Sequence, residues 1–351
     1  MSDIHIRDCG PTGRITLTRP QALNAVTYQM CLAIEEALDR WRDDKSIIQV
    51  VIDAEGDRAF CAGGDIAELY TTGMRRDFTY GQKFWADEYR LNAKTYAYPK
   101  PVISFLQGFT MGGGVGIGCH GSHRIVGETS QIAMPECGIG LVPDVGGSLM
   151  LARAPGCLGA YLGTTAARMS AADAILAGFA DTFVPQDRWP DLISQLEGGA
   201  SPQILENASE PTMDGILASQ QHLIEHHFCG ATLDGILDSL RNDDGGFAKS
   251  ALKSMERNSP LSMACTIEML HQLCGPSLTI EQALSLEYRF TYRAMQHGDF
   301  LEGIRAAIVD KDRAPKWQYA DHDVPAEAVR KMLAPLGDNE LKLEEYGHGS
   351  A

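Results

Sequence analysis

Val102-Ile-Ser-Phe-Leu-Gln-Gly-Phe-Thr-Met-Gly-Gly-Gly-Val-Gly-Ile-Gly118 is followed closely by Met134-Pro-Glu-Cys-Gly-Ile-Gly-Leu-Val-Pro-Asp-Val-Gly-Gly147. The first stretch is an apolar strand-like run that ends in a glycine cluster. Such a cluster lets backbone come close to a ligand, because no Cβ stands in the way. The second stretch carries two carboxylates, Glu136 and Asp144, in a Pro/Gly-rich setting that fixes the backbone around them. Bare N–H groups beside rigid carboxylates are the parts needed to stabilise an oxyanion and to attack or deprotonate next to it.

Short strands and helices alternate on either side of this centre. Arg14–Thr18 reads as a strand, and Ile47–Ile52 as a second one rich in β-branched residues. Between them, from about Tyr28 to Asp43, Met30, Ile34, Ala37, Leu38 and Trp41 recur at helical spacing. Phe60-Cys-Ala-Gly-Gly-Asp-Ile66 is a glycine turn opening into a helix, and a longer helix is expected from about Phe78 to Thr95. His123–Val126 and Gln131–Ala133 read as further strands. Repeated strand–strand–helix units with glycine turns imply an α/β layered fold. Gly198-Gly-Ala-Ser-Pro202 marks a linker, after which the periodicity is helical to about Ala307. Pro211, Pro260 and Pro276 punctuate that region, and Ser259 is placed to cap a helix. The chain therefore divides into an α/β catalytic core, residues 1–198, and a helical region, residues 199–351, with a polar frayed end from Gly337.

Composition narrows the function. The 351 residues carry 30 basic and 46 acidic side chains, a formal charge of −16. That balance argues against nucleic acid or an anionic membrane surface as a general partner. An anionic small ligand held by a local cluster of cations and helix N-termini remains compatible. No apolar run is long enough to span a bilayer, and the polar N-terminus has no apolar signal region. The nine cysteines are scattered without a C-x-x-C pair. They predict neither a zinc site nor a disulfide framework, but reduced thiols in the cytoplasm.

Four pieces occur in order: Leu23-Asn-Ala25, Ala62-Gly-Gly-Asp65, Met111-Gly-Gly-Gly114 and Met134-Pro-Glu136. This order resembles the crotonase (enoyl-CoA hydratase/isomerase) superfamily over roughly residues 12 to 190. The resemblance implies a crotonase-like spiral of strand–strand–helix units. It also implies an oxyanion hole for an acyl-CoA thioester, made by two backbone N–H groups that fall on Gly64 and Gly113. Hydratases of the superfamily use two glutamates, and the first of these positions falls on Gly116, leaving only Glu136. Asp144 stands nearby instead. Water addition across a double bond needs both ends of the water handled, so the missing carboxylate argues against hydration.

The replacement pattern is similar to a narrower group, the 3-hydroxyisobutyryl-CoA hydrolases. Thr110–Gly116, Ala133–Glu136 and Ile139–Gly147 carry that similarity, with Glu88-Tyr-Arg-Leu-Asn92, Leu286-Glu-Tyr-Arg289, Phe300–Ala306 and Asp310–Trp317. It spans nearly the whole chain. It implies a thioester hydrolase of valine breakdown, with catalytic Glu136 and Asp144 and with Glu88, Gly113, Glu136 and Asp144 as the substrate-binding positions. No metal or separate cofactor is implied, since CoA is part of the substrate. Trimer-based homo-oligomers are common in the superfamily. Two rivals stand beside this reading. One is a hydratase or isomerase working with a single glutamate, and the other is a silent acyl-CoA-binding subunit, for which the Glu136/Asp144 pair would be superfluous.

Two other patterns carry less. Gly116-Ile-Gly-Cys-His-Gly121 spells a dinucleotide-binding glycine motif, but the next strand begins at His123 and leaves no room for the helix such a site needs. His222-Leu-Ile-Glu-His226 spells an inverted zinc-peptidase motif, yet it reads as the polar face of an amphipathic helix with Leu223, Ile224 and Phe228.

Overall fold

Three successive strand–strand–helix units build the core of the computed structural model, which describes residues 3–275 and 277–343. A hairpin of β1 (Ile4–Cys9) and β2 (Thr12–Leu17) leads to α1 (Tyr28–Asp43). Thr27 caps α1, its hydroxyl accepting from Met30 N. The expected face of α1 is the buried one: Met30, Ile34, Ala37, Leu38 and Trp41 are all inside.

The first unit is β3 (Gln49–Ala54), β4 (Ala59–Cys61), α2 (Ala67–Met74) and α3 (Thr79–Tyr96). The second is β5 (Val102–Phe105), β6 (Phe109–Met111) and α4 (Gly113–Gly118). The third is β7 (His123–Val126), β8 (Gln131–Ala133) and, after a 3-10 turn at Glu136–Ile139, α5 (Gly147–Arg153). The first strand of every unit joins one sheet, ordered β1-β2-β3-β5-β7-β9 with β9 at Thr182–Phe183. The second strands form a separate parallel sheet, β4-β6-β8. Within the smaller sheet the strands run parallel, so the ends of β4 and β6 that lead into the glycine turns lie side by side.

Beyond the antiparallel β1–β2 pair, the larger sheet is parallel and covered on both faces. Val51, Ile103, Phe105 and Ile125 pack against Trp189, Leu192, Ile193 and Leu196 of the helix Trp189–Glu197. Val50, Ile52 and Val102 point the other way, into the main core. The C-terminal helices close that side. The helix Ile280–His297 lies along α3, where the Tyr288 hydroxyl donates to Gln82 O at 3.2 Å and its ring meets that of Tyr89 edge-on.

The structure departs from expectation at several places. β1 was not foreseen, because its alternate residues are half-exposed and polar. β3 begins two residues later than the apolar run, since Ile48 is an exposed residue ahead of the ladder. Residues 337–343 are tied down rather than frayed: Glu340 accepts from Arg289 and from Leu336 N. The rest of the expected frayed end, residues 344–351, lies outside the described residues, as does Pro276. Ser259 does cap the helix Pro260–Gln272, accepting from Ser262 N. The cysteine reading needs correction. Cys157 and Cys229 form a disulfide, with Cα atoms 5.5 Å apart and 72 residues between them. Each sits at the end of a helix, and only their packing brings the two ends together.

Candidate active site

The glycine turns of the first two units face each other. Gly64 forms a parallel bridge with Val26, and the bonds belong to its neighbours: Val26 N donates to Gly63 O at 2.9 Å and Asp65 N to Val26 O at 2.7 Å. The Gly64 N–H therefore points away from that ladder, toward the second turn. Gly113 opens α4 there, after Gly112 at φ +50°. A Cβ on Gly113 would lie 3.2 Å from Gly64 N and 3.3 Å from Glu88 Oε1. A Cβ on Gly112 would lie 2.6 Å from Glu136 Oε1. These contacts place Gly64, Gly113, Glu88 and Glu136 around one small space, and they explain why the cluster is glycine.

Three elements supply the carboxylates. Glu88 comes from the middle of α3, Glu136 begins the 3-10 turn after β8, and Asp144 sits in the loop before α5. All three are buried, at 4%, 5% and 4% exposure. Glu88 Oε1 and Glu136 Oε2 have no hydrogen-bond partner among the described residues. An unpartnered buried carboxylate oxygen is costly and marks a site awaiting a ligand, a water or a proton. Asp144 differs, because the Tyr89 hydroxyl donates to its Oδ2 at 2.7 Å.

Burial sets the protonation pattern. It pushes the Glu88 carboxyl up to about 8, with the Asp144 charge adding to the effect. Glu136 is driven well above the ordinary carboxyl range by burial and then by Asp144. Asp144 rises only to about 7, because burial is opposed by the Tyr89 hydroxyl, which favours the anion. Among the described residues no neighbouring cation offsets any of these three charges. Burial therefore disfavours ionisation of all three carboxyls, and at Asp144 the Tyr89 hydroxyl opposes that effect.

The frame behind the cluster escaped the sequence. Glu287, fully buried on the helix Ile280–His297, accepts from Gly146 N at 2.8 Å, Ser148 N at 3.1 Å and the Ser148 hydroxyl. It caps the start of α5 and fixes the loop that carries Asp144. Asn92 donates to Gly116 O at 3.1 Å. Glu88, Tyr89 and Asn92 share α3 and face the site side by side. The only signal for Tyr89, Asn92 and Glu287 was their place inside the motifs around Glu88 and Leu286.

Position 116 has no room for a side chain. A Cβ there would lie 2.8 Å from Val145 Cβ and 2.8 Å from Asn92 Nδ2. The other two patterns are also placed. Gly116–Gly121 ends α4 and runs straight into β7, with no helix leading away. His222 and His226 are exposed on the helix Ile216–Phe228, whose Ile224 and Phe228 are buried.

This architecture and sequence define the class. An enoyl-CoA hydratase/isomerase family model matches residues 12–333, and the chain belongs to that family. Among its relatives, 3-hydroxyisobutyryl-CoA hydrolase of Rattus norvegicus, named as mitochondrial, is 37% identical over 346 residues, covering 95% of this chain and 89% of the relative. Among solved structures, an enoyl-CoA hydratase from Rhodobacter sphaeroides 2.4.1 is 56% identical, with a TM-score of 0.93 over 97% of this chain and 100% of that one. A carnitinyl-CoA dehydratase from Mycobacterium thermoresistibile is 37% identical, with a TM-score of 0.93 over 98% and 100%. The cytoplasmic expectation does not stand, because the hydrolase relative is named mitochondrial; a polar N-terminus and scattered cysteines do not discriminate between compartments. Among the described residues no helix is long and apolar enough to cross a membrane.

Proposed function

We propose that the protein hydrolyses a short 3-hydroxyacyl-CoA thioester, foremost 3-hydroxyisobutyryl-CoA, to the hydroxy acid and CoA, a step of valine breakdown. The observation that carries this reading is the exchange of carboxylates. Val145 fills the space beside Gly116, where a hydratase would project its first glutamate, and Asp144 stands buried within electrostatic reach of Glu136 instead. The hydrolase named among the relatives supports the substrate.

The thioester carbonyl oxygen lies between the N–H groups of Gly64 and Gly113. Removing one such donor typically costs 10²–10³-fold in rate. The Glu136 proton passes to Asp144, which leaves a carboxylate and an acid with no change in net charge. Glu136 attacks the carbonyl carbon, and the C–S bond breaks as the CoA sulfur takes the proton from Asp144. Asp144, again ionised, removes a proton from water as that water attacks the mixed anhydride. The hydroxy acid leaves and Glu136 is regenerated. Glu88 contacts the acyl end. Every step is assigned to these side chains and two backbone N–H groups, with no metal or redox cofactor.

The rival is hydration by Glu136 alone, favoured by the name of the 56% identical structure. Incubation with 3-hydroxyisobutyryl-CoA and, separately, with crotonyl-CoA distinguishes the two. Free thiol from the first and a stable enoyl chromophore with the second are expected. Rapid hydration without thiol release would sink the hydrolase reading.

A further inference from the structure

Val145 has φ +53°. For a β-branched residue this left-handed conformation is a genuine outlier, and such strain persists only where the surroundings over-determine it. The surroundings here do so from three sides. His120, just past the end of α4 and 4% exposed, brings Nε2 to 2.6 Å from Val145 O. A carbonyl only accepts, so Nε2 carries the hydrogen and donates it. On the next residue, Gly146 N is held by Glu287 at 2.8 Å, and a Cβ on Gly146 would meet the His120 ring at 2.7 Å. The Val145 side chain lodges where Gly116 has none.

We propose that His120 is a positioning residue for Asp144: its Nε2–H holds the strained Val145 peptide, and that peptide aims the adjacent carboxylate at the acyl site. This rests on the catalytic reading of Asp144 given above and deepens it. The His120 bond goes to the Val145 carbonyl and not to the Asp144 carboxylate. His120 acts through one carbonyl and one residue of backbone, and without it one of the three restraints on Val145 is lost and Asp144 is held less firmly at the acyl site. Because Asp144 serves proton transfer rather than binding, the effect falls on kcat and spares KM.

The test uses His120→Leu, which keeps bulk and removes the donor, and His120→Gln, whose amide N–H reaches the same carbonyl. His120→Leu should lower kcat about tenfold or more at nearly constant KM, and His120→Gln should retain most of it. On an Asp144→Asn background, His120→Leu should add almost nothing, because the group it positions is already disabled. Val145→Gly removes the strain, so His120→Leu on that background should change kcat by less than about threefold. This second pair keeps the test open if the single leucine variant folds poorly. Full kcat in folded His120→Leu, an undiminished loss on the Asp144→Asn background, or an undiminished loss on the Val145→Gly background would each overturn the proposal. Should Asp144→Asn itself be fully active, the catalytic reading of Asp144 fails, whatever His120 does.

Discussion

The Tyr89 hydroxyl donates to Asp144 Oδ2 at 2.7 Å, while the preceding residue, Glu88, faces the glycine turns. One helix therefore both sets the charge of Asp144 and supplies a neighbouring acid. Tyr89 favours the ionised form of Asp144, which burial alone would push higher than about 7. In Tyr89→Phe the Asp144 carboxyl should titrate at higher pH. The acid limb of the pH–rate profile for thioester hydrolysis should move upward in step, because water activation needs the anion. A profile that loses amplitude without moving would mean that Tyr89 serves packing only.

A second prediction concerns position 116. If the missing glutamate alone separated this chain from hydratases, Gly116→Glu would create hydratase activity. The geometry predicts otherwise. Its Cβ would already crowd Val145 Cβ and Asn92 Nδ2, each at 2.8 Å. Overpacking of this kind costs about 1–3 kcal/mol, and a further buried carboxyl adds to it. Gly116→Glu should unfold at lower temperature and hydrolyse the thioester at least about tenfold more slowly, since Val145 carries Asp144 with it. Efficient crotonyl-CoA hydration by this variant would contradict that coupling.

Glu88 gives a prediction about stability without substrate. Its carboxyl titrates near 8 in the folded chain, against the ordinary 4.5. Between these values the unfolded chain releases a proton that the folded chain keeps. Stability is therefore lost as pH rises from about 4.5 to about 8, and is fully present below that window. Glu88→Gln has no proton to lose. Thermal unfolding of the two proteins should diverge as pH rises from 5 to 8, with the glutamine variant gaining. Parallel curves would show that Glu88 is solvated when ionised.

The legible parts of the chain were those with local signals. The buried face of α1 follows from helical spacing, and the paired glycine turns with Glu136 and Asp144 follow from short motifs. Features made by distant residues left no such trace. Tyr89 reaches Asp144 across 55 residues, Glu287 reaches Ser148 across 139, and His120 reaches Val145 across 25. Each of these three residues also fits an ordinary pattern in its own segment, an amphipathic helix or a helix end. The disulfide was hidden in the same way, because neither Cys157 nor Cys229 has a cysteine partner at a telling spacing.

The two carboxylates proposed to be catalytic are expected to fail differently. A nucleophilic Glu136 forms a covalent acyl-enzyme, because attack on the thioester expels CoA before water enters. Glu136→Gln should then release no burst of CoA and form no adduct. Asp144→Asn should be slow overall, by about 10²–10⁴-fold, the usual worth of positioned proton transfer. Its asparagine cannot deprotonate water, so CoA release from the first turnover should outrun hydrolysis and the anhydride should accumulate. Hydroxylamine added to Asp144→Asn during turnover should convert Glu136 to its hydroxamate, visible as a mass change on the peptide that holds Met134-Pro-Glu136. Unmodified Glu136 alongside continued CoA release would instead make it a general base acting on water.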